Sequence, residues 1–193
     1  MKTKVVLLYA LVLAILAVIL PLLNIPLPVG NPNLGSTPAT LAAIYLPWPF
    51  CIIIALIKGI AASIITGRAW VEMPAGIGDA FMAIFTYWLA KHMHKGWAVT
   101  LGQFSRIIFT SGTIALTVSI AFSFNILTSA TSPIPGLTSS LLYNIGKSWM
   151  SITFWAIVLS AAVNAVFSAI IVLLFSCPIE NSLKKQTSPR RSG

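Results

Sequence analysis

The chain has 193 residues, of which 58% are hydrophobic and 8% are charged, and its mean hydropathy is +0.94. Soluble domains carry about 25% charged residues, so this composition excludes a water-soluble globule. The formal net charge of +9 comes from short basic clusters between apolar runs, which is typical of membrane proteins and does not indicate nucleic-acid binding. Because a spanning helix takes roughly 20 apolar residues, the length allows five or six spans and no soluble domain.

The first part of the chain predicts one full helix and one short helix. The first apolar run predicts a helix over 5–23, which we expect to stay uncleaved because no clear small-x-small site follows it. Residues 22–38 are rich in Pro, Gly and Asn, which favours an ordered loop at the membrane surface. The apolar run 39–46 is about half a span, so we expect a short second helix that is tilted, broken or partly sheltered by its neighbours.

Four longer helices are predicted after it, over Trp48–Thr66, 74–90, 97–127 and 147–175. The fold class is therefore all-α: a single-domain integral membrane bundle of six transmembrane helices over 1–180, then a basic, disordered cytoplasmic tail over 181–193. The fifth helix carries polar residues at alternating spacings of three and four, which predicts a stripe facing the bundle interior. These residues are Gln103, Arg106, Thr110, Thr113 and Thr117.

The distribution of Lys and Arg predicts the topology. With six helices, the basic residues of both termini and of the connector 91–95 fall on one side, and only Arg68 and Lys147 fall on the other. Cytoplasmic loops are enriched in Lys and Arg. We therefore expect a multi-pass protein of the cell membrane, embedded in the lipid bilayer, with both termini in the cytoplasm.

Charges are concentrated in and around the third and fourth predicted helices, at 58–79. On those helices Lys58 would lie about 13 Å and Asp79 about 8 Å below the helix ends, so we expect the two to form an ion pair. A single charge in such a place would shift its pKa and become neutral. Two interpretations stay open: the pair fixes the helix register, or it takes part in binding a polar substrate.

The candidate substrate-binding residues are this pair and polar residues of the outer loops: Asn31, Asn33, Lys58, Arg68, Glu72, Asp79, Asn125, Asn144 and Trp149. Each outer-loop residue also has an ordinary explanation, as a solvated charge, a turn former or an interfacial aromatic. Asn164, deep in the last helix, is better explained as a contact between helices. No spacing of His, Cys or acidic residues predicts catalysis, a metal site or a cofactor site.

Ala10, Ala14 and Ala17 form a strip of small residues on one face of the first helix. This strip, the outer loop IPLPVGNPNLGSTPATL, the short second helix and the six helices in 193 residues together resemble the substrate-binding S component of energy-coupling factor (ECF) transporters. The resemblance implies that the alanine face docks on a transmembrane coupling subunit driven by two separate ATPase subunits. It also implies capture of a vitamin-like or related small polar solute near the outer surface, without enzymatic activity.

Two other functions stay open. The chain could be a self-sufficient proton-coupled carrier in which Lys58 and Asp79 exchange protons, or a structural or assembly protein whose buried charges only fix packing. Accumulation of solute by the purified chain alone, under a proton gradient, would indicate the carrier. Tight binding of a small molecule would exclude the structural protein.

Overall fold

A computed structural model describes residues 3–23, 34–128 and 136–187. Every regular element in these ranges is helical, which confirms the all-α class. The α-helices are α1 (Thr3–Ile19), α2 (Thr37–Tyr45), α3 (Trp48–Thr66), α4 (Ala69–His92), α5 (Lys95–Ser123), α6 (Leu141–Met150) and α7 (Ile152–Thr187). Short 3-10 turns over Leu20–Leu22 and Leu34–Ser36 follow α1 and precede α2.

Among the described helices, four are long and apolar enough to cross a membrane: Thr3–Leu22, Trp48–Thr66, Lys95–Ser123 and Trp155–Ser176. The helix α4 has 24 residues but is not one of these four, and α2 has only nine. Large apolar side chains are exposed on the outer faces of the long helices, among them Ile64, Ile108 and Leu174. Such surfaces require lipid, so the chain is a membrane-associated multi-pass protein.

The short helix α2 is an internal element of the bundle. Seven of its nine residues are buried. The Ser36 hydroxyl before it lies 3.0 Å from the Ser168 hydroxyl of α7, and the Gln103 amide of α5 donates to the Thr40 hydroxyl. These bonds satisfy polar groups that water cannot reach. The prediction of a short second helix is confirmed, and of the arrangements left open the structure shows shelter by neighbouring helices.

The helix α4 begins five residues before Pro74, so the predicted start at Pro74 is wrong. The chain leaves α3 through Gly67, whose φ of 67° lies in the left-handed region that glycine tolerates. The Arg68 carbonyl then accepts from the N–H groups of Val71 and Glu72 and starts the new helix. An acidic residue in the first turn also complements the helix dipole. As a result, Glu72 lies on a helix rather than in a loop.

The end of α5 also differs from the prediction, since the helix stops at Ser123 and not at 127. Asn125 has a φ of 57°, and the N–H groups of Ile126 and Leu127 return to the Ala121 carbonyl. Asn is one of the few residues other than glycine that adopt this left-handed conformation readily. The helix therefore ends in a turn at Asn125. The sequence pattern did not indicate this end, because apolar residues continue after Asn125.

The predicted last helix, 147–175, is in fact two helices. Ser151 has an extended ψ of 143° and separates α6 from α7, and its hydroxyl and N–H both donate to the Ser148 carbonyl. Serine side chains compete with helical backbone bonds in this way. The helix α7 continues to Thr187, beyond the predicted domain end at 180. The remainder of the predicted tail, 188–193, lies outside the described residues.

Candidate functional site

Glycines hold α3 against α4 where the charges lie. A methyl group on Gly76 would lie 2.7 Å from the Cα atom of Gly59, and one on Gly59 would lie 2.9 Å from the Cα atom of Gly76. Only hydrogen atoms on both residues allow such an approach of two helix backbones. Lys58 directly precedes Gly59, and Asp79 lies three residues after Gly76 on α4. The close crossing therefore brings the Lys58 ammonium group to α4.

Asp79 is the centre of the charged cluster, and its carboxylate binds three side chains from two other helices. The Lys58 Nζ atom lies 3.2 Å from Oδ2, which confirms the predicted pair. Arg106 Nε donates to Oδ1 at 2.6 Å and Arg106 Nη2 to Oδ2 at 3.4 Å, while the Thr110 hydroxyl donates to Oδ1 at 3.0 Å. Both carboxylate oxygens are thus fully engaged.

The cluster is shielded from solvent and lipid. Asp79 is 0% exposed, Lys58 1% and Arg106 3%. Buried charges are tolerated when they are paired and hydrogen-bonded. Glu72 approaches from the first turn of α4, with Oε2 4.0 Å from Lys58 Nζ and its side chain 16% exposed. The two buried cations therefore share one buried carboxylate and one partly buried carboxylate.

A cavity of about 80 Å³ opens beside this cluster, between α3, α4, α5 and α7. Its polar lining comes from Lys58, Arg68, Glu72, Arg106, Thr110, Ser160 and Asn164. Sites for drug-sized ligands have volumes of roughly 300–1,000 Å³. In this conformation the cavity can therefore enclose a small polar group, but not a whole vitamin-sized molecule.

The polar stripe on α5 was predicted, but Arg106 was not predicted as a site residue. Gln103, Arg106 and Thr110 are buried, as the stripe requires, and Thr113 and Thr117 are half-buried. The sequence contained a usable signal, because two basic residues, Lys58 and Arg106, lie deep in the predicted helices, where Asp79 is the one acidic residue at a similar depth. Charge balance would have indicated Arg106 as a candidate partner of Asp79, although it does not show which way Arg106 faces on α5.

Of the other predicted site residues, the structure brings Arg68 and Glu72 to the cavity. Arg68 is exposed and Glu72 half-buried, and both line the opening. Asn125 and Trp149 are not among the cavity-lining residues. Asn31 and Asn33 lie outside the described residues.

Asn144 holds the segment between α5 and α6. Its Oδ1 atom accepts from the Thr138 N–H at 2.7 Å, and its Nδ2 atom donates to the Thr138 carbonyl at 2.6 Å and to the Ser123 hydroxyl at 2.9 Å. Both amide hydrogens are therefore used within the chain. Asn144 is 0% exposed and does not line the cavity. These contacts give it a structural role, and solute binding by Asn144 stays a prediction.

The alanine strip of α1 faces the bundle and not the outside. Ala10 is 8% exposed and Ala17 0%, and both belong to the core that α1 forms with α2 and α3, with Ala14 packed against it. In this conformation Ala10 and Ala17 are covered by the chain's own helices, and docking of this face on a coupling subunit stays a prediction. Small residues allow close helix packing in either role, so the sequence alone did not distinguish them.

Within the described ranges, no three His, Cys, Asp or Glu side chains come together as a metal site would require. The arrangement around Asp79 is instead an ion-pair cluster beside a small polar cavity. No family model matches the chain, and neither does any curated protein or solved structure.

Proposed function

We propose that the chain is a substrate-binding membrane subunit of an importer, of the S-component kind that the sequence resembles. The observation that supports this is the cavity lined by Lys58, Arg68 and Arg106 within a membrane helix bundle. Ionisable residues within a membrane bundle are costly and usually mark a substrate or ion site. A small polar solute, or the polar end of a larger one, would bind there.

The proposal includes six membrane crossings, with α4 added to the four apolar spans and α2 as the short sixth element. Tyr45 at the end of α2 lies below the Lys95 ammonium group of α5 and donates a hydrogen bond to the Ser176 carbonyl of α7. The end of the bundle that carries Lys91 and Lys95 would face the cytoplasm. The cavity, near Arg68 at the opposite end of α4, would then open toward the outside.

Energy for uptake would come from a transmembrane coupling subunit with two ATPase subunits. Since the alanine strip is covered, this partner would contact the outer face of α1, where Leu7, Leu8 and Leu11 are more than half exposed. Only 17% of the most apolar window of α1 is buried, so this helix is the most peripheral of the four candidate spans.

The half-length helix α2 favours a second candidate function, a self-sufficient proton-coupled carrier. Secondary transporters often form their sites with discontinuous helices that end inside the bundle. Here the buried Ser36 directly precedes α2 and is linked through Ser168 to Asn164 at the cavity. Lys58 and Asp79 would then exchange the coupling proton.

Reconstitution tests the proposal and separates the two functions. When a tagged chain is purified from its own host in mild detergent, a membrane subunit, two ATPases and a small bound solute should co-purify with it. In liposomes the chain alone should bind this solute without accumulating it under a proton gradient. Accumulation under the gradient would indicate the carrier, and absence of any bound solute would contradict both functions.

A further inference from the structure

Arg106 has hydrogen-bond donors that Asp79 does not use. Its Nε and Nη2 atoms face the two oxygens of the Asp79 carboxylate, which occupies one edge of the guanidinium group. The Nη1 atom, which carries two further N–H donors, is buried and has no hydrogen-bond partner among the described residues. Buried polar groups in native proteins almost always have a partner. Arg106 lines the cavity, so a group bound there is the nearest candidate for the missing acceptor once the Arg106 side chain shifts enough to expose Nη1.

The cavity also carries excess positive charge. Among the described side chains, three cations line it, Lys58, Arg68 and Arg106, and one carboxylate does, that of Glu72. Asp79 is not a lining residue, but its carboxylate binds Lys58 and Arg106. The three basic and two acidic residues together therefore carry one formal positive charge. The charges of Lys58, Arg106, Asp79 and Glu72 balance, so the excess is that of Arg68, which is exposed at the cavity and attracts an anion toward it.

We infer that the cavity binds a small carboxylate, which accepts hydrogen bonds from Nη1 of Arg106. Arginine presents a planar fork of donors that matches a carboxylate. One excess positive charge suits a monoanion, and a cavity of about 80 Å³ suits a carboxylate on a short chain. This inference rests on the proposed function and names the chemical class of its solute.

Binding of radiolabelled acetate to the purified, delipidated chain, measured by equilibrium dialysis, tests the inference. Unlabelled acetate should displace the label, whereas acetamide, which has a similar shape but no charge, should not do so at the same concentration. Asn164→Asp adds a carboxylate to the cavity wall without touching the pair of Arg106 and Asp79. It should weaken acetate binding roughly tenfold to a hundredfold. The matched control Asn125→Asp lies in an exposed turn and should bind like the wild type.

Several outcomes would overturn the inference. Equal displacement by acetamide would do so, and so would unchanged binding in Asn164→Asp with an unchanged melting temperature. Binding that is retained in phosphatidylcholine nanodiscs but lost in phosphatidylglycerol nanodiscs would assign the site to a lipid headgroup. A neutral or cationic solute that co-purifies with a chain unable to bind acetate would contradict the carboxylate but leave the proposed function intact. If neither acetate nor any co-purified solute binds, both proposals fail.

Discussion

Arg106 and Asp79 meet side-on, with Nε 2.6 Å from Oδ1 and Nη2 3.4 Å from Oδ2, so that one edge of the guanidinium group is occupied and Nη1 is not. The pair joins α5 to α4, and Lys58 joins α3 to the same carboxylate at 3.2 Å. One acidic residue thus connects three helices at the wall of the cavity. This arrangement makes Asp79 more important for stability than either of its cationic partners.

The first prediction concerns the charged cluster. Asp79→Asn leaves two buried cations without their shared partner, which should cost about 3–5 kcal/mol in the free energy of unfolding. Lys58→Met should cost less, because Arg106 and Thr110 still bind the carboxylate. Thermal melts of both variants and of the double variant in detergent measure this. The double variant should lose less than the sum of the two single losses, and simple additivity would show that the residues do not interact.

The second prediction concerns helix packing. Gly76→Ala places a methyl group against the backbone of Gly59 and should destabilise the protein by about 1–3 kcal/mol, as overpacking does. Gly112→Ala is the matched control, because it lies inside α5 with no atom within 4 Å of the added methyl group. The control should keep or raise the melting temperature, since alanine is the better helix former. Equal effects of the two substitutions would refute the close crossing.

The third prediction distinguishes the two roles of Asn144. As the residue that holds Thr138 and Ser123, it should be needed for stability, and Asn144→Ala should cost about 1–3 kcal/mol because buried partners are left unsatisfied. Asn125→Gly, in the exposed turn with φ of 57°, serves as a control and should change little. Loss of solute binding in Asn144→Ala at an unchanged melting temperature would instead make Asn144 a ligand.

The fourth prediction concerns α1. Because Ala17 is fully buried, Ala17→Trp should lower the melting temperature markedly, as overpacking of a core does. Leu11→Trp, on the outer face where the side chain is 59% exposed, should leave stability unchanged. In the S-component proposal it is Leu11→Trp that should weaken co-purification of a coupling subunit. Normal stability of Ala17→Trp would instead indicate that the alanine strip is an external docking face.

The fifth prediction concerns topology. In a chain whose cysteines are replaced by alanine, single cysteines at Ser140 and Met93 mark opposite ends of the bundle, and both positions are exposed. An impermeant thiol reagent should label the cysteine at 140 in intact cells and the one at 93 only after lysis. Labelling at 93 from outside would reverse the proposed orientation.

The sequence predicted the features that depend on local pattern and overall hydropathy. The bounds Trp48–Thr66 of α3, the short α2 and the pairing of Lys58 with Asp79 are as expected, since apolar runs and the cost of buried charge determine them. The part that Arg106 plays was not predicted, because partners on different helices depend on how the helices are rotated about their axes. The break at Ser151 was missed for another reason, since no Gly or Pro adjoins Ser151 to mark the end of a helix.

The direction in which the alanine strip faces could not be inferred either. A row of small residues indicates that some backbone approaches closely, but not whether that backbone belongs to the same chain or to a partner. The exposed fractions of Ala10 and Ala17 decide this only once the neighbouring helices are in place. The position of Glu72 was not predicted either. Pro74 indicated a helix start after Glu72, whereas α4 begins at Ala69.

The most direct test of the central claim is to identify what the cavity holds. Ala161 lines the cavity and is 6% exposed, so Ala161→Trp should fill it, whereas Leu159→Trp on the exposed face of the same helix should not. The three proteins, purified from the native host and denatured, are compared by mass spectrometry of released small molecules, with melting temperatures as a check of folding. We expect one small carboxylate from the wild type and from Leu159→Trp, and at most a trace from Ala161→Trp. Equal amounts from all three folded proteins, or none from any of them, would contradict a solute site at this cavity.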